Sequence, residues 1–230
     1  MELKATPIVA LDVSSAKDAL RLVDRIGPSC RFYKVGSELF TAEGPAIVRA
    51  LRERNLDVFL DLKFHDIPNT VRGAVQSAAR LGVRLLTVHI SGGADMLGAA
   101  VEAAGTSCDV LGVSVLTSLD APSLGEVWGR PGLTMETEVL RLAELAKATG
   151  LSGLVCSGAE AVVVRRRYPR DFDLLVPGIR LGEGDHDDQR RVVTPRAAVD
   201  AGATYLVLGR AVTGAADPAA AMREIVTALR

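Results

Sequence analysis

Eight short apolar runs recur along the chain, and segments with helical spacing separate them. Runs that are apolar on both faces are typical of strands in a parallel sheet that helices cover. We interpret as strands the residues 8–11, 31–35, 58–62, 85–90, 110–116, 153–156, 174–177 and 205–208. Eight strand–helix units in 230 residues predict a TIM (β/α)8 barrel that spans residues 1–230 as a single domain. A doubly wound sheet is the alternative.

Signals at the ends of the helical segments agree with this pattern. Ser15, three residues before Asp18, is typical of a helix N-cap. Glycines that close helices follow five of the helical runs, at Gly27, Gly82, Gly105, Gly150 and Gly202. Two connections, 117–135 and 180–194, are longer than usual, and each follows a predicted strand. We therefore expect both at the end of the barrel where active sites form, as binding loops or lids.

The composition excludes several classes of protein. Hydrophobic residues make up 48% of the chain, and the formal net charge is −1, so nothing predicts a nucleic-acid or acidic-membrane partner. No apolar run is long enough to cross a bilayer, and the segment before the first strand leaves no room for a signal peptide. The three cysteines are widely spaced, which favours buried thiols, and the three histidines lack metal-ligand spacing. We expect a metal-free, cytoplasmic protein.

A charged cluster follows the third predicted strand. Asp61, Lys63 and Asp66 lie within six residues, and strand alternation would place Asp61 and Lys63 on the same side. Pro68 then predicts the start of a helix. An exposed salt bridge is the simpler interpretation and would contribute little. The apolar residues before the cluster favour a catalytic site, because a lysine kept charged by carboxylates can protonate carbon or bind an anion.

Other charged or polar residues are predicted at the same end of the barrel. Lys34 lies inside an apolar strand and needs a carboxylate partner, for which Asp61 or Asp66 is the candidate. Asp12 fits a turn cap as well as it fits a functional role, and His89 fits a structural role better than a catalytic one. The strand ends together contribute Asp12, Lys34, Asp61, Lys63, His89, Thr117, Arg180, Gly209 and Arg210.

The ends of the seventh and eighth predicted strands favour a phosphate site. Loops after these two strands commonly bind phosphate in TIM barrels. Arg180 and Arg210 can bind phosphate through two hydrogen bonds each, and the Gly209 backbone can approach it closely. The loop 181–189 is glycine-rich and polar, which predicts a lid, and Gln189 is its candidate uncharged donor.

Four motifs together resemble the orotidine 5′-phosphate decarboxylase family in its short bacterial form. They are Asp61-x-Lys63-x-x-Asp66-Ile67-Pro68-Asn69-Thr70, Pro177-Gly178-Ile179-Arg180, Asp188-Gln189-Arg190-Arg191 and Leu208-Gly209-Arg210. Related sugar-phosphate enzymes share the start of the first motif, whereas the combination is far more specific. The resemblance implies conversion of orotidine 5′-phosphate to UMP and CO2 in de novo pyrimidine biosynthesis, without a metal or organic cofactor.

The resemblance also implies a role for each candidate residue. Lys63 would protonate the pyrimidine carbon, with Asp61 against the departing carboxylate and Lys34 and Asp66 completing an alternating charge network. Asp66 and Thr70 would come from the other subunit of a homodimer. The substrate contacts would be Asp12 and Lys34 to the ribose, Thr117 to the base, and Arg180, Gln189, Gly209 and Arg210 to the phosphate.

Two other functions remain open at this point. Hexulose-phosphate synthases and keto-gulonate-phosphate decarboxylases share part of the first motif and use Mg²⁺ to stabilise an enediolate. A non-catalytic barrel that binds UMP as a sensor is the second alternative, and the presence of Lys63 argues against it.

Overall fold

A closed barrel of eight parallel strands, paired in chain order, forms the centre of the molecule. The computed structural model describes residues 3–168, 171–181 and 193–230. The strands are β1 (Thr6–Ala10), β2 (Phe32–Gly36), β3 (Asp57–Phe64), β4 (Leu85–His89), β5 (Asp109–Val113), β6 (Gly153–Val155), β7 (Asp173–Val176) and β8 (Tyr205–Leu208). Each predicted strand is confirmed within three residues at either end, and the predicted TIM barrel is confirmed with them.

Helices cover the outside of the barrel. Within the described residues they are α1 (Ala16–Ile26), α2 (Ser37–Glu43), α3 (Pro45–Glu53), α4 (Pro68–Arg80), α5 (Ala94–Ala104), α6 (Ala121–Val127), α7 (Met135–Ala148), α8 (Gly158–Arg167), α9 (Pro195–Asp200), α10 (Arg210–Thr213) and α11 (Pro218–Ala228). The side chain of Ser15 caps α1 by accepting the Asp18 N–H, and Pro68 opens α4, both as predicted. The five predicted helix-closing glycines all have positive φ.

The connection 117–135, which was predicted to be a long binding loop or lid, contains the helix α6. Asp120 caps this helix by accepting the Ser123 N–H, and a proline lies in its first turn. Its one large buried side chain is Leu124, so it lacks the apolar periodicity that reveals a longer helix. The other long connection, 180–194, lies mostly outside the described residues.

The core has two layers. Inward-facing side chains fill the barrel, and a larger cluster packs between the strands and the helices. The inner cluster consists of Ile8, Ala10, Phe32, Phe59, Leu85, Leu111, Leu175, Tyr205 and Val207. All three cysteines are buried thiols, as predicted, and burial raises the pKa of Cys30 to about 11. Among the described helices, none is long and apolar enough to cross a membrane.

The amino-terminal end of the barrel, called the lower end here, is closed by paired charges. Asp57 at the start of β3 accepts hydrogen bonds from Arg52 at 3.1 Å and from Arg84 at 2.9 Å. The Arg84 guanidinium also lies 5.2 Å from the centre of the Phe32 ring. Each charge at this position thus has a partner, and the arrangement closes the barrel below the inner cluster.

A threonine bridges two strands at the same lower end. The Thr204 hydroxyl accepts the Leu174 backbone N–H at 3.2 Å and is hydrogen-bonded to the Asp173 carboxylate. Burial raises the pKa of Asp173, and the nearby Asp109 charge adds to this, against the Thr204 hydrogen bond.

Candidate active site

A cavity of about 460 Å³ opens at the carboxyl ends of the strands, called the mouth here. Eight of the predicted residues line it, namely Asp12, Lys34, Asp61, Lys63, Thr117, Arg180, Gly209 and Arg210. Because parallel strands bring their carboxyl ends to one edge, residues distant in sequence meet here. Gln189 lies outside the described residues.

Four of these residues form a row of alternating charges. The Lys34 ammonium lies 2.7 Å from Asp12 Oδ1 and 3.8 Å from Asp61 Oδ2, and the Lys63 ammonium lies 2.9 Å from Asp61 Oδ1. The side chains of Lys34 and Asp61 are only 11% and 13% exposed, so water screens their charges weakly. We call Asp12, Lys34, Asp61 and Lys63 the charge row.

Of the two carboxylates predicted as partners of Lys34, the structure brings one into contact with it. Asp61 is confirmed, whereas the alternative, Asp66, is wrong within this chain, because its carboxylate instead accepts the Ile67 N–H at 2.6 Å. The shortest contact of Lys34 is to Asp12, which the sequence did not predict as its partner. The reason is strand order, since β1 pairs with β2 and brings the residue after Leu11 beside Lys34.

An irregularity in β3 directs Lys63 into the cavity. Leu60 pairs with Leu86 and Phe64 with Val88, so three residues of β3, 61–63, lie opposite the single residue Thr87 of β4. Lys63 there has φ +50°, which is uncommon outside glycine. The prediction that Asp61 and Lys63 lie on one side is confirmed, although a bulge rather than regular alternation brings it about.

The Thr87 side chain spans this bulge. Its hydroxyl accepts the Lys63 backbone N–H at 3.0 Å and donates to Asp61 Oδ1 at 2.9 Å. Thr87 is fully buried. Sequence reasoning missed this residue, because a threonine inside an apolar strand gives no signal of its own.

Two glycines leave the mouth open. A Cβ atom on Gly36 would lie 2.9 Å from the Lys34 ammonium and 3.4 Å from Asp12, so the glycine makes room for that ion pair. A Cβ on Gly209 would meet nothing within 4 Å. Because Gly209 lines the cavity, such a side chain would occupy space that a ligand can use.

The part of the cavity wall formed by β6, β7 and β8 is mostly apolar and was not predicted. Val155, Cys156, Leu175 and Val207 lie there, at or next to the carboxyl ends of β6, β7 and β8. At the rim, Arg180 is half-buried and donates to the Ile179 carbonyl at 3.2 Å. The cavity is therefore lined by the charge row, an apolar wall and two arginines.

His89 stands beside the site rather than in it. Its ring centre is 5.4 Å from that of His65, and it does not line the cavity. Burial lowers the pKa of His89, and the charges of His65 and Lys63 lower it further. A neutral imidazole in this position fits the structural role that the sequence favoured.

Asp66 and Thr70 lie outside the cavity of their own chain. All the residues 65–70 are exposed, and Ile67 is 67% exposed although it is a large apolar side chain. The structure thus brings eight predicted site residues together at the cavity, and Asp66 and Thr70 are exposed and do not line it.

Known proteins resemble this chain over nearly its whole length. The model of the orotidine 5′-phosphate decarboxylase / HUMPS family matches residues 6–225. Orotidine 5′-phosphate decarboxylases from Neisseria gonorrhoeae and Chromobacterium violaceum are 48% and 50% identical, each match covering 95% of this chain and 89% of the relative. The crystal structure of orotidine 5′-phosphate decarboxylase from Lactobacillus acidophilus superimposes with a TM-score of 0.87 at 34% identity, over 98% of this chain and 99% of that one. The chain therefore belongs to the orotidine 5′-phosphate decarboxylase / HUMPS family.

Proposed function

We propose that this chain is a decarboxylase that converts orotidine 5′-phosphate to UMP and CO2 in de novo pyrimidine biosynthesis. Its family and the shared name of its curated relatives support this activity. The observation that carries the proposal is the charge row at the cavity, which ends in a lysine positioned to act as an acid. The cytoplasmic location stays a prediction.

Lys63 is the proposed proton donor to the pyrimidine carbon. Loss of CO2 leaves negative charge on that carbon, and a fixed ammonium stabilises this charge before transferring its proton. Asp61, whose Oδ1 lies 2.9 Å from the ammonium, pairs with Lys63 where both side chains line the cavity. The same carboxylate would lie against the substrate carboxylate, and that repulsion is relieved as CO2 departs.

The rest of the cavity suits the remainder of the substrate. Asp12 and Lys34 are the proposed ribose ligands, and Thr117 the ligand of the base edge. The phosphate would lie across the cavity, against Arg180, Arg210 and the Gly209 backbone, with Gln189 as a further donor. Phosphate binding far from the reacting carbon can be used to stabilise the transition state.

The direct test is the fall in orotidylate absorbance with purified, EDTA-treated protein. We expect full turnover, because the proposed acid is an ammonium and no step is assigned to a metal or organic cofactor. Activity that is lost with EDTA and restored by Mg²⁺ on a sugar phosphate would favour the hexulose-phosphate relatives. UMP binding without any turnover would favour a sensor.

The phosphate assignment has its own test. Arg210→Ala should lower kcat/KM for orotidylate. The corresponding loss of transition-state stabilisation should be about a few kcal/mol, which is what a lost charge-assisted contact costs. Its effect on orotidine, which lacks the phosphate, should be slight. Equal losses on both substrates would make Arg210 structural.

A homodimer would complete the site. Asp66 and Thr70 are exposed at the start of α4, next to the exposed apolar side chain of Ile67, which suits a surface that a second subunit covers. In a two-fold dimer each subunit receives the same groups that it gives. Asp66 and Thr70 are therefore proposed to reach the partner's site, with Asp66 extending the charge network there.

Mixed dimers test this arrangement. Lys63→Ala and Asp66→Ala homodimers should each be nearly inactive. After subunit exchange about half of the dimers are mixed, and each of these has one intact site, so about a quarter of wild-type activity should return. No recovery despite verified exchange would place Lys63 and Asp66 of one chain in the same site.

A further inference from the structure

We infer that Thr87 is a positioning residue for the reaction, which holds Asp61 and Lys63 in their relative geometry without touching the substrate. The inference rests on the proposed function. It starts from the bulge, where regular pairing between β3 and β4 stops at Leu60 and resumes at Phe64. Thr87 is the single residue of β4 opposite the three residues in between.

The hydroxyl of Thr87 replaces the missing strand pairing. A bulge leaves backbone groups without their ladder partners, and a buried N–H needs an acceptor. The Lys63 N–H finds one in Thr87 Oγ1 at 3.0 Å. Since Thr87 is fully buried, water is poorly placed to take over this role.

The single hydroxyl proton has a defined direction. Thr87 Oγ1 already accepts the Lys63 N–H, and an ionised Asp61 carboxylate can only accept, so the proton lies between Oγ1 and Asp61 Oδ1 at 2.9 Å. The same oxygen of Asp61 receives the Lys63 ammonium at 2.9 Å. One side chain thus fixes the backbone of the proposed acid and the carboxylate that orients its ammonium.

Loss of the hydroxyl would release both groups together. Lys63 has φ +50°, a conformation that a lysine keeps only when its surroundings impose it. Without its acceptor the backbone would relax toward ordinary strand geometry, which changes the direction of the side chain. Asp61 would keep its ammonium contacts but lose the hydrogen bond that sets its own orientation.

The test compares Thr87→Val, which preserves shape and removes the hydroxyl, with Thr87→Ser, which keeps the hydroxyl. Thr204→Val is the matched control at the lower end, where a threonine also joins a backbone N–H of the neighbouring strand to an aspartate. Should Thr87→Val fail to fold, Thr87→Ala against Thr87→Ser gives the same comparison.

We expect Thr87→Val to lower kcat by about 10- to 100-fold, the range that a small misplacement of reacting groups produces. Affinity for UMP, which lacks the reacting carboxylate, should stay near that of the wild type. Thr87→Ser should restore most of kcat, and Thr204→Val should lose stability while keeping kcat. Wild-type kcat in Thr87→Val would overturn the inference, as would a loss that Thr87→Ser shares in full.

Hydrogen exchange at the Lys63 amide, followed by NMR, separates this inference from the proposed function. Protection should fall at least about tenfold in Thr87→Val, as expected for a lost buried hydrogen bond, and persist in Thr87→Ser. If the wild type did not decarboxylate orotidylate, the proposed function would fail, and this exchange would still report whether Thr87 holds the bulge. Unchanged protection in Thr87→Val would refute the positioning role by itself.

Discussion

Asp57 and Asp61 are carboxylates on the same face of β3, one at each end of the barrel, yet their counter-charges differ. Asp57 at the lower end binds two arginines, one of which also covers the Phe32 ring. Asp61 at the mouth lies between two lysines and faces a cavity. Phe59 lies between them in the inner cluster. A single strand therefore carries an aspartate paired with arginines at one end of the barrel and an aspartate paired with lysines at the other.

The choice of cation explains the difference. An arginine keeps its proton under all ordinary conditions and its planar fork holds a fixed geometry, which suits a closed end. A lysine has a compact ammonium that can give up a proton, which suits chemistry. We therefore expect the lower end to contribute stability and the mouth to contribute reactivity.

The sharpest test of this division is Lys63→Ala. Turnover should fall by at least about 100- to 10,000-fold, the contribution of a positioned general acid. Asp61 keeps the Lys34 ammonium and the Thr87 hydroxyl, so the barrel should stay folded. Circular dichroism and orotidylate turnover measure the two effects. Near-normal turnover would remove Lys63 as the acid.

Gly36→Ala should have a smaller effect at the mouth. Gly36 has φ −93° and ψ −177°, which alanine adopts easily, so the backbone should not be strained. The main change is that the new Cβ would lie 2.9 Å from the Lys34 ammonium, which is too close. Displacement of that ammonium should lower kcat/KM by about tenfold, within the range for a misplaced group.

Gly98→Ala is the control for this variant. Its new Cβ meets nothing within 4 Å and lies on α5, so activity should be kept and stability should rise by up to about 1 kcal/mol. A Gly36→Ala enzyme as active as this control would show that the Lys34–Asp12 geometry is not critical.

Asp57→Asn tests the lower end. Two arginines would lose their charged partner, and because the Asp57 side chain is 38% exposed, the cost in unfolding free energy should be only about 1 kcal/mol. Denaturant unfolding measures this cost, and kcat should not change. Reduced turnover at unchanged stability would contradict the separation of the two ends.

The smallest expected effect concerns Asp173 at the lower end. Burial raises its pKa above the usual 3.8, so the native state holds this proton more tightly than the unfolded state does. Its contribution to stability therefore falls as pH rises from about 3.8 through the raised pKa. Asp173→Asn should remove this pH-dependent loss of stability. The free energy of unfolding at neutral pH should then rise by less than about 1 kcal/mol, since the Asp173 side chain is partly exposed.

Thermal unfolding of the Asp173→Asn variant and the wild type at several pH values checks this. The difference in stability should be larger at neutral pH than below pH 3.8, where both states of the wild type hold the proton. A difference that does not change with pH would mean that Asp173 titrates alike in both states.

Much of this arrangement could be predicted from the sequence. Apolar runs of strand length predict the eight strands. Because parallel strands bring their carboxyl ends to one edge, the strands in turn predict which residues meet at the mouth. The position of Lys34 inside an apolar strand was enough to predict a carboxylate partner, and Asp61 is one.

What could not be predicted depends on contacts between strands. The contact of Asp12 with Lys34 follows from the register of β1 on β2, which no local pattern encodes. Lys63, which has a positive φ, makes its backbone hydrogen bond at the bulge to Thr87, 24 residues away. A short helix such as α6 depends on its cap and its proline more than on apolar periodicity.

The charge row also limits how this site can change. Each of its inner members, Lys34 and Asp61, forms ion pairs with two neighbours. Replacement of one of them therefore removes a counter-charge from two other side chains at once. Energetic effects within such a row are not additive, and a second replacement that restores neutrality costs less than it would alone. Paired replacements of Lys34 and Asp61 should therefore cost less stability than the two single replacements added together, which makes the row one energetic unit rather than four independent charges.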